Sequence, residues 1–149
     1  MEIKSFLKTL SIMHLSLVVG LVIFTLIAIA QGKGFNTDTD QSNTLLYLVP
    51  ILALLGYFGS KYLFKKMLSD IKESDALVEK LKKFQSASHV KYALIEAPAF
   101  FALYVYYYSG NALPLVIAIC LSAYLFVQKP NKEAIKRELP LSRAEQEHL

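Results

Sequence analysis

The 149-residue sequence has a single cysteine, Cys120. No intrachain disulfide or CxxC pair is possible. That excludes a disulfide-stapled secreted scaffold, a cysteine zinc site and the quinone-linked thiol oxidoreductases. Histidine is scarce as well, and His14, His89 and His148 are too scattered to suggest a metal site. There is no HExxH, no GxSxG and no phosphate-binding glycine loop, and no pair of spaced carboxylates falls in the apolar stretches. The expectation is a protein that is not an enzyme and takes no cofactor and no metal. Charge is also sparse, at 19%, against about 25% in a typical soluble domain.

What the chain has instead is apolar residues. They make up 54% and gather in runs at 10–30, 45–64, 92–108 and 112–127. This blocked pattern excludes a soluble single-domain enzyme and a disordered chain. A helix needs about 20 residues to cross the ~30 Å hydrocarbon layer. The first two runs are long enough, and the last two borrow flanking residues. Alternation at period 2 is absent, which argues against barrel strands and leaves helices as the way to satisfy the backbone in lipid. The sequence therefore predicts an all-α fold, residues 1–149 forming one polytopic domain. It is a bundle of four transmembrane helices with a cytoplasmic helical extension. Ala28-Ile29-Ala30 resembles a signal-peptide cleavage site, but the apolar core of about 20 residues exceeds the usual 7–15. The first run reads as a retained helix.

Lysine and arginine set the orientation. Lys4 and Lys8 precede the first run. Only Lys33 falls in the first loop, beside Asp38 and Asp40, and 109–111 carries no basic residue. The other basic residues lie at the inner ends of the spans, in 65–91 or in the tail, 129–149. The positive-inside rule places both termini in the cytoplasm of a multi-pass protein of the inner (plasma) membrane. The net charge of +4 then reflects orientation and contact with the lipid bilayer, not nucleic acid. Tyr47 and residues 106–108 fall at the outer interface, and Tyr62, Tyr92 and Tyr124 near the inner one.

Between the second and third runs, Met67, Leu68, Ile71, Leu77, Val78, Leu81 and Phe84 recur near helical spacing. Segment 65–91 reads as a cytoplasmic amphipathic segment, either a continuation of the second helix or a separate helix on the inner surface, with the break before the third span at 86–88. In the tail, 132–139 reads as a short helix stopped by Pro140, and Ser142 with Glu145 has capping-box spacing.

One acid interrupts the apolar runs. Glu96 lies four residues inside Tyr92, between Ile95 and Ala97. An acid within a span costs several kcal/mol unless paired or hydrated, and marks a functional site by default. His14 and Lys61 come to a similar depth on their own helices. The three form a candidate proton-carrying or ion-binding layer, or else an ion pair that fixes packing. Ala93 and Ala97 have small-xxx-small spacing, Gly56 and Gly59 offer a second close contact, and Pro98 introduces a kink. These five are the candidate helix-packing residues.

The stretch ALIEAPAFFALYVYYYSGN, within residues 92–111, resembles the outer helix of the proteolipid (c or K ring) subunit of rotary ATPases. That helix carries a membrane carboxylate in an A-L-x-E-A-like setting and an Asn near its end. The resemblance implies that Glu96 is an ion carrier. The chain departs from that family in having only Gly56 and Gly59 in the second run, a polar connection of about 27 residues, and two further spans. The expected function is a small accessory or assembly subunit of a larger membrane complex, associating with other membrane subunits or with itself. The alternative is a proton- or cation-coupling protein using Glu96, either rotor-like or a small oligomeric transporter.

Overall fold

The computed structural model describes residues 3–37 and 43–147. Asp38, Asp40 and His148 lie outside them. The described residues form α1 (Ile3–Gln31), α2 (Thr44–Leu68), α3 (Leu77–Ser109), α4 (Ala112–Val127), α5 (Lys132–Glu138) and α6 (Arg143–Glu147), with no strands.

Local chemistry sets the helix ends. Asn43 and Asn111 start α2 and α4, each side chain accepting a backbone N–H two residues on. Gly110 ends α3 at φ 68°, the left-handed conformation glycine adopts without a Cβ penalty. Pro114 sits in the first turn of α4, where its missing N–H costs little.

Two helices, α1 and α2, are long and apolar enough to cross a membrane. Each buries only a narrow stripe. In α1 this is Phe6, Leu10, His14, Val18, Leu21 and Ala28, recurring every three, four or seven residues. The remainder points outward, including Ile12, Leu15, Val22 and Leu26 on α1 and Ile51, Leu54, Leu55 and Phe58 on α2. So large an exposed apolar surface is foreign to a soluble monomer and suits a lipid-facing one. The α4 and α5 helices meet at 85° and, taken together as one bent pair, are also long and apolar enough to cross a membrane, although α5 itself is charged. The 33-residue α3 is long enough, but its tyrosines and Glu96 dilute its hydropathy.

The first four helices alternate in direction. α1 and α3 run parallel, since Phe24 meets Phe100 and Lys33 N donates to Tyr107 O at 3.1 Å. α2 runs against α3, with Phe64 on Phe84. The α3 and α4 helices form the centre, and α1 and α2 stand at opposite corners, each packed on that central pair. The core runs along α3, which buries Leu81, Phe84, Tyr92, Ile95, Ala99, Leu103 and Tyr106 among others. Tyr106 is thus a core residue and not part of a surface aromatic belt, because α3 is the helix with neighbours on most sides. At the end of the bundle where α1 finishes, the loop after α1 crosses to the α3–α4 turn. There Asn36 N donates to Gly110 O (2.8 Å) and Asn36 O accepts from Ala112 N (2.9 Å).

The break expected at 86–88 lies instead between Leu68 and Leu77. Residues 86–88 continue α3, and Ala87 and Ser88 are buried in it. Serine and alanine at these positions permit close packing and do not stop a helix. The polar run 69–76 does stop one. Asp75 folds back to accept from Lys72 N at 3.0 Å, a side-chain bond that competes with helix. That bond, aided by Lys83 at 3.6 Å, holds the Asp75 carboxyl below the usual carboxylate range. The segment 65–91 is therefore divided at 69–76 and not at 86–88. It is the last turn of α2, a turn, and an α3 that runs unbroken into the apolar region.

The tail folds back onto the early part of α3. Ile135, Leu139 and Leu141 are buried, and Tyr92 Oη donates to Gln128 O at 3.2 Å. Ser142 N donates to the Glu145 carboxylate (2.7 Å), and Glu145 N donates to Ser142 Oγ (3.4 Å). These are the reciprocal bonds of a capping box. Glu145 also holds Lys80, a fully buried lysine whose Nζ lies 2.9 Å from Oε2 and donates to Glu73 O at 2.8 Å.

Candidate functional site: a lateral groove between α1 and α3

The three candidates at similar depth do not meet. His14 is buried on the side of α1 that faces α4, where Nε2–H donates to Leu125 O at 2.7 Å and the ring stands edge-on to Tyr92 at 5.0 Å. That bond joins α1 to the last turns of α4. Lys61 points away from α1 altogether. Its Nζ donates to Tyr57 Oη and lies 4.1 Å from the Tyr57 ring centroid. Tyr57 in turn packs on Tyr124 of α4 at 5.0 Å. Because α1 and α2 occupy opposite corners, a residue on this face of α2 has no route to the α1–α3 contact.

Glu96 faces that contact. It lines a cavity of about 400 Å³ with Met13, Ser16 and Leu17 of α1 and His89 and Ala93 of α3. Glu96 is half-buried and has no hydrogen bond or ion pair among the described residues. His89 Nε2 is buried and likewise without a partner. His89, Ala93 and Glu96 share one face of α3 at spacings of four and three, so the acid and the imidazole lie about 10 Å apart along the axis. Ser16 Oγ donates to Ile12 O at 2.9 Å, which leaves its oxygen able to accept. The groove therefore offers an acceptor-rich carboxylate and a ring nitrogen in walls that are otherwise apolar.

Sequence reasoning left His89 out of the site because it lies just outside the apolar run that begins at Tyr92. Once α3 is continuous, the seven-residue spacing to Glu96 is itself the signal.

No protein-family profile, curated protein or solved structure matches this chain.

The helix-packing candidates divide. Gly56 is buried against α3, where a Cβ would lie 2.7 Å from Pro98 Cγ and closer still to Leu94 O. Pro98 has no N–H to give Leu94 O, its partner four residues back. Gly56 points the hydrogen that a Cβ would replace at this carbonyl, a weak C–H···O contact. Gly59 has nothing within 4 Å. Ala93 and Ala97 are exposed, so this small-residue face is not used within the bundle. The small residues buried in α3 are Ala87, Ser88, Ala99 and Ala102. Among the described residues no three His, Cys, Asp or Glu side chains come together as a metal site would require.

Proposed function

We propose that the chain is a four-span protein of the inner membrane that works as a non-enzymatic accessory or assembly subunit. The alternating helix directions and the gathering of every basic residue but Lys33 toward one side support four crossings with both termini in the cytoplasm. The observation that carries the subunit reading is Glu96. A half-buried carboxylate with no partner among the described residues, on an open groove in an apolar bundle, is costly in lipid. A second protein helix relieves that cost by bringing a lysine, arginine or hydroxyl donor to it. The exposed Ala93 and Ala97 beside it let such a helix approach closely.

The test is purification in mild detergent followed by mass spectrometry of what remains bound. A stoichiometric partner subunit is expected to accompany the wild type and to be lost from Glu96→Gln and from Ala97→Leu. Ala123→Leu, an exposed change on α4, is expected to keep it. A wild-type protein that runs only as a monomer, or a partner indifferent to both groove changes, overturns the reading.

The unpartnered His89 Nε2 in the same groove favours one second reading, a proton- or cation-coupling site at Glu96. In reconstituted vesicles the wild type would then carry a flux that Glu96→Gln reduces to the level of empty vesicles. Equal flux from both overturns it.

A further inference from the structure

A second cleft opens on the other side of α1, against α4. Its volume is about 250 Å³, and Lys8, Ser11, Ile12, His14, Leu15, Phe126 and Lys129 line it. Its polarity is graded along the bundle axis. Lys8, Ile12 and Leu15 follow one face of α1 at spacings of four and three, running from the helix start toward the membrane interior. Phe126 and Lys129 repeat the order from the α4 side, with the lysine just past the helix end. Both cations therefore sit at the cytoplasmic mouth, and the apolar side chains lie below them. Ile12 and Leu15 are each 55% exposed and Phe126 is 62% exposed, so the apolar wall is open to the side. Neither lysine has an ion-pair partner among the described residues, and none of the residues lining the cleft is acidic. Lys129 also borders the neighbouring cavity, which holds Lys91 and Arg137 but also Glu133 and Glu138. The α1–α4 side is the one where its charge stands unopposed.

We infer that this cleft binds an anionic phospholipid of the cytoplasmic leaflet. The phosphate sits between Lys8 and Lys129, and one acyl chain lies along Ile12, Leu15 and Phe126. Two unpaired ammonium groups at one end and an open apolar wall at the other match the order of charge and hydrocarbon in such a lipid. Lysines at the inner boundary attract anionic headgroups, and basic pockets between membrane helices on that side bind them. The inference rests on the membrane reading above but not on a partner subunit.

Native mass spectrometry from mixed micelles tests it, with phosphatidylglycerol and phosphatidylcholine of identical acyl chains. Float-up of the protein with pure phosphatidylcholine vesicles tests membrane insertion separately, so failure of that reading is distinguishable. The wild type is expected to retain phosphatidylglycerol about tenfold more tightly than phosphatidylcholine. The double change Lys8→Gln/Lys129→Gln should abolish the preference, Lys8→Arg/Lys129→Arg should keep it, and Lys33→Gln at the far end should leave it unchanged. Excess free glycerol phosphate should not displace the lipid. Equal retention of the two lipids by the wild type, or a preference that survives the double glutamine change, overturns the proposal. Displacement by glycerol phosphate also overturns it, by showing that the site reads a soluble phosphate and not a lipid.

Discussion

Gly56→Ala is expected to destabilise the bundle by about 3 kcal/mol, near the upper end of what overpacking costs. The added methyl would overlap Leu94 O and come within 2.7 Å of Pro98 Cγ. One of these obstacles is backbone and the other a rigid ring, so neither can rotate away. The α2–α3 contact must open along its length, because helices do not bend sharply without cause. Gly59→Ala is the matched control. It lies one turn on, meets nothing within 4 Å, and should leave stability unchanged or raise it by up to about 1 kcal/mol, since alanine is the better helix former. Denaturant unfolding of both variants in micelles makes the comparison. Pro98→Ala in the Gly56→Ala background should recover part of the loss, because it removes the ring clash and leaves the carbonyl one. The two changes are then non-additive, as expected for residues in contact. Equal stability of the two glycine variants would show that α2 and α3 do not approach closely here.

The second large effect concerns the tail. Removing the Glu145 carboxylate by Glu145→Ala leaves the Lys80 ammonium, which has no solvent exposure, with Glu73 O as its remaining partner. An unpaired buried charge costs more than the pair contributes. The cost here is about 2 kcal/mol of tail docking, below the fully buried range because one hydrogen bond survives. Lys80→Met should cost less than about 1 kcal/mol. Methionine fills the same buried space, and Glu145, partly open to water, keeps its bond from Ser142 N. Hydrogen exchange over residues 132–147 reads both.

The pH dependence follows from the same contacts. The Ser142 N–H bond, then Lys80, hold the Glu145 carboxyl below its ordinary value. The stabilisation is thus fully present above the ordinary glutamate pKa of about 4.3. It is lost as pH falls through the depressed folded value. Tail protection should drop in acid in the wild type, and Glu145→Ala should show less of that drop. A Lys80→Met variant as damaging as Glu145→Ala would overturn this account.

Much of the helical layout was legible because hydrophobicity and helix signals are local. Residues 112–127 form α4 to the residue, bounded by Asn111 and Gln128. The runs 10–30 and 45–64 lie within α1 and α2. The Ser142–Glu145 capping box has the bonds its spacing implies. The break at 86–88 was misplaced for a local reason too. A cluster of small residues reads as a break in sequence, but serine and alanine do not stop a helix, and Ala87 and Ser88 are buried within α3. His89 was left out of the candidate site because it precedes the apolar run that starts at Tyr92, although α3 carries it on the same face as Glu96.

By itself the sequence determined the kind of protein: all-helical, apolar in long blocks, with most of its basic residues clustered outside those blocks and a lone acid among apolar neighbours. Those properties are sums over the chain or depend on near neighbours. The tertiary structure alone decided which side chains face one another. Position along a helix sets depth, but facing depends on which neighbour each helix chooses. With α1 and α2 at opposite corners of the α3–α4 pair, His14, Lys61 and Glu96 are turned to three different surroundings. The same choice leaves Glu96 with His89 on an open groove, and Lys8 with Lys129 at the mouth of another.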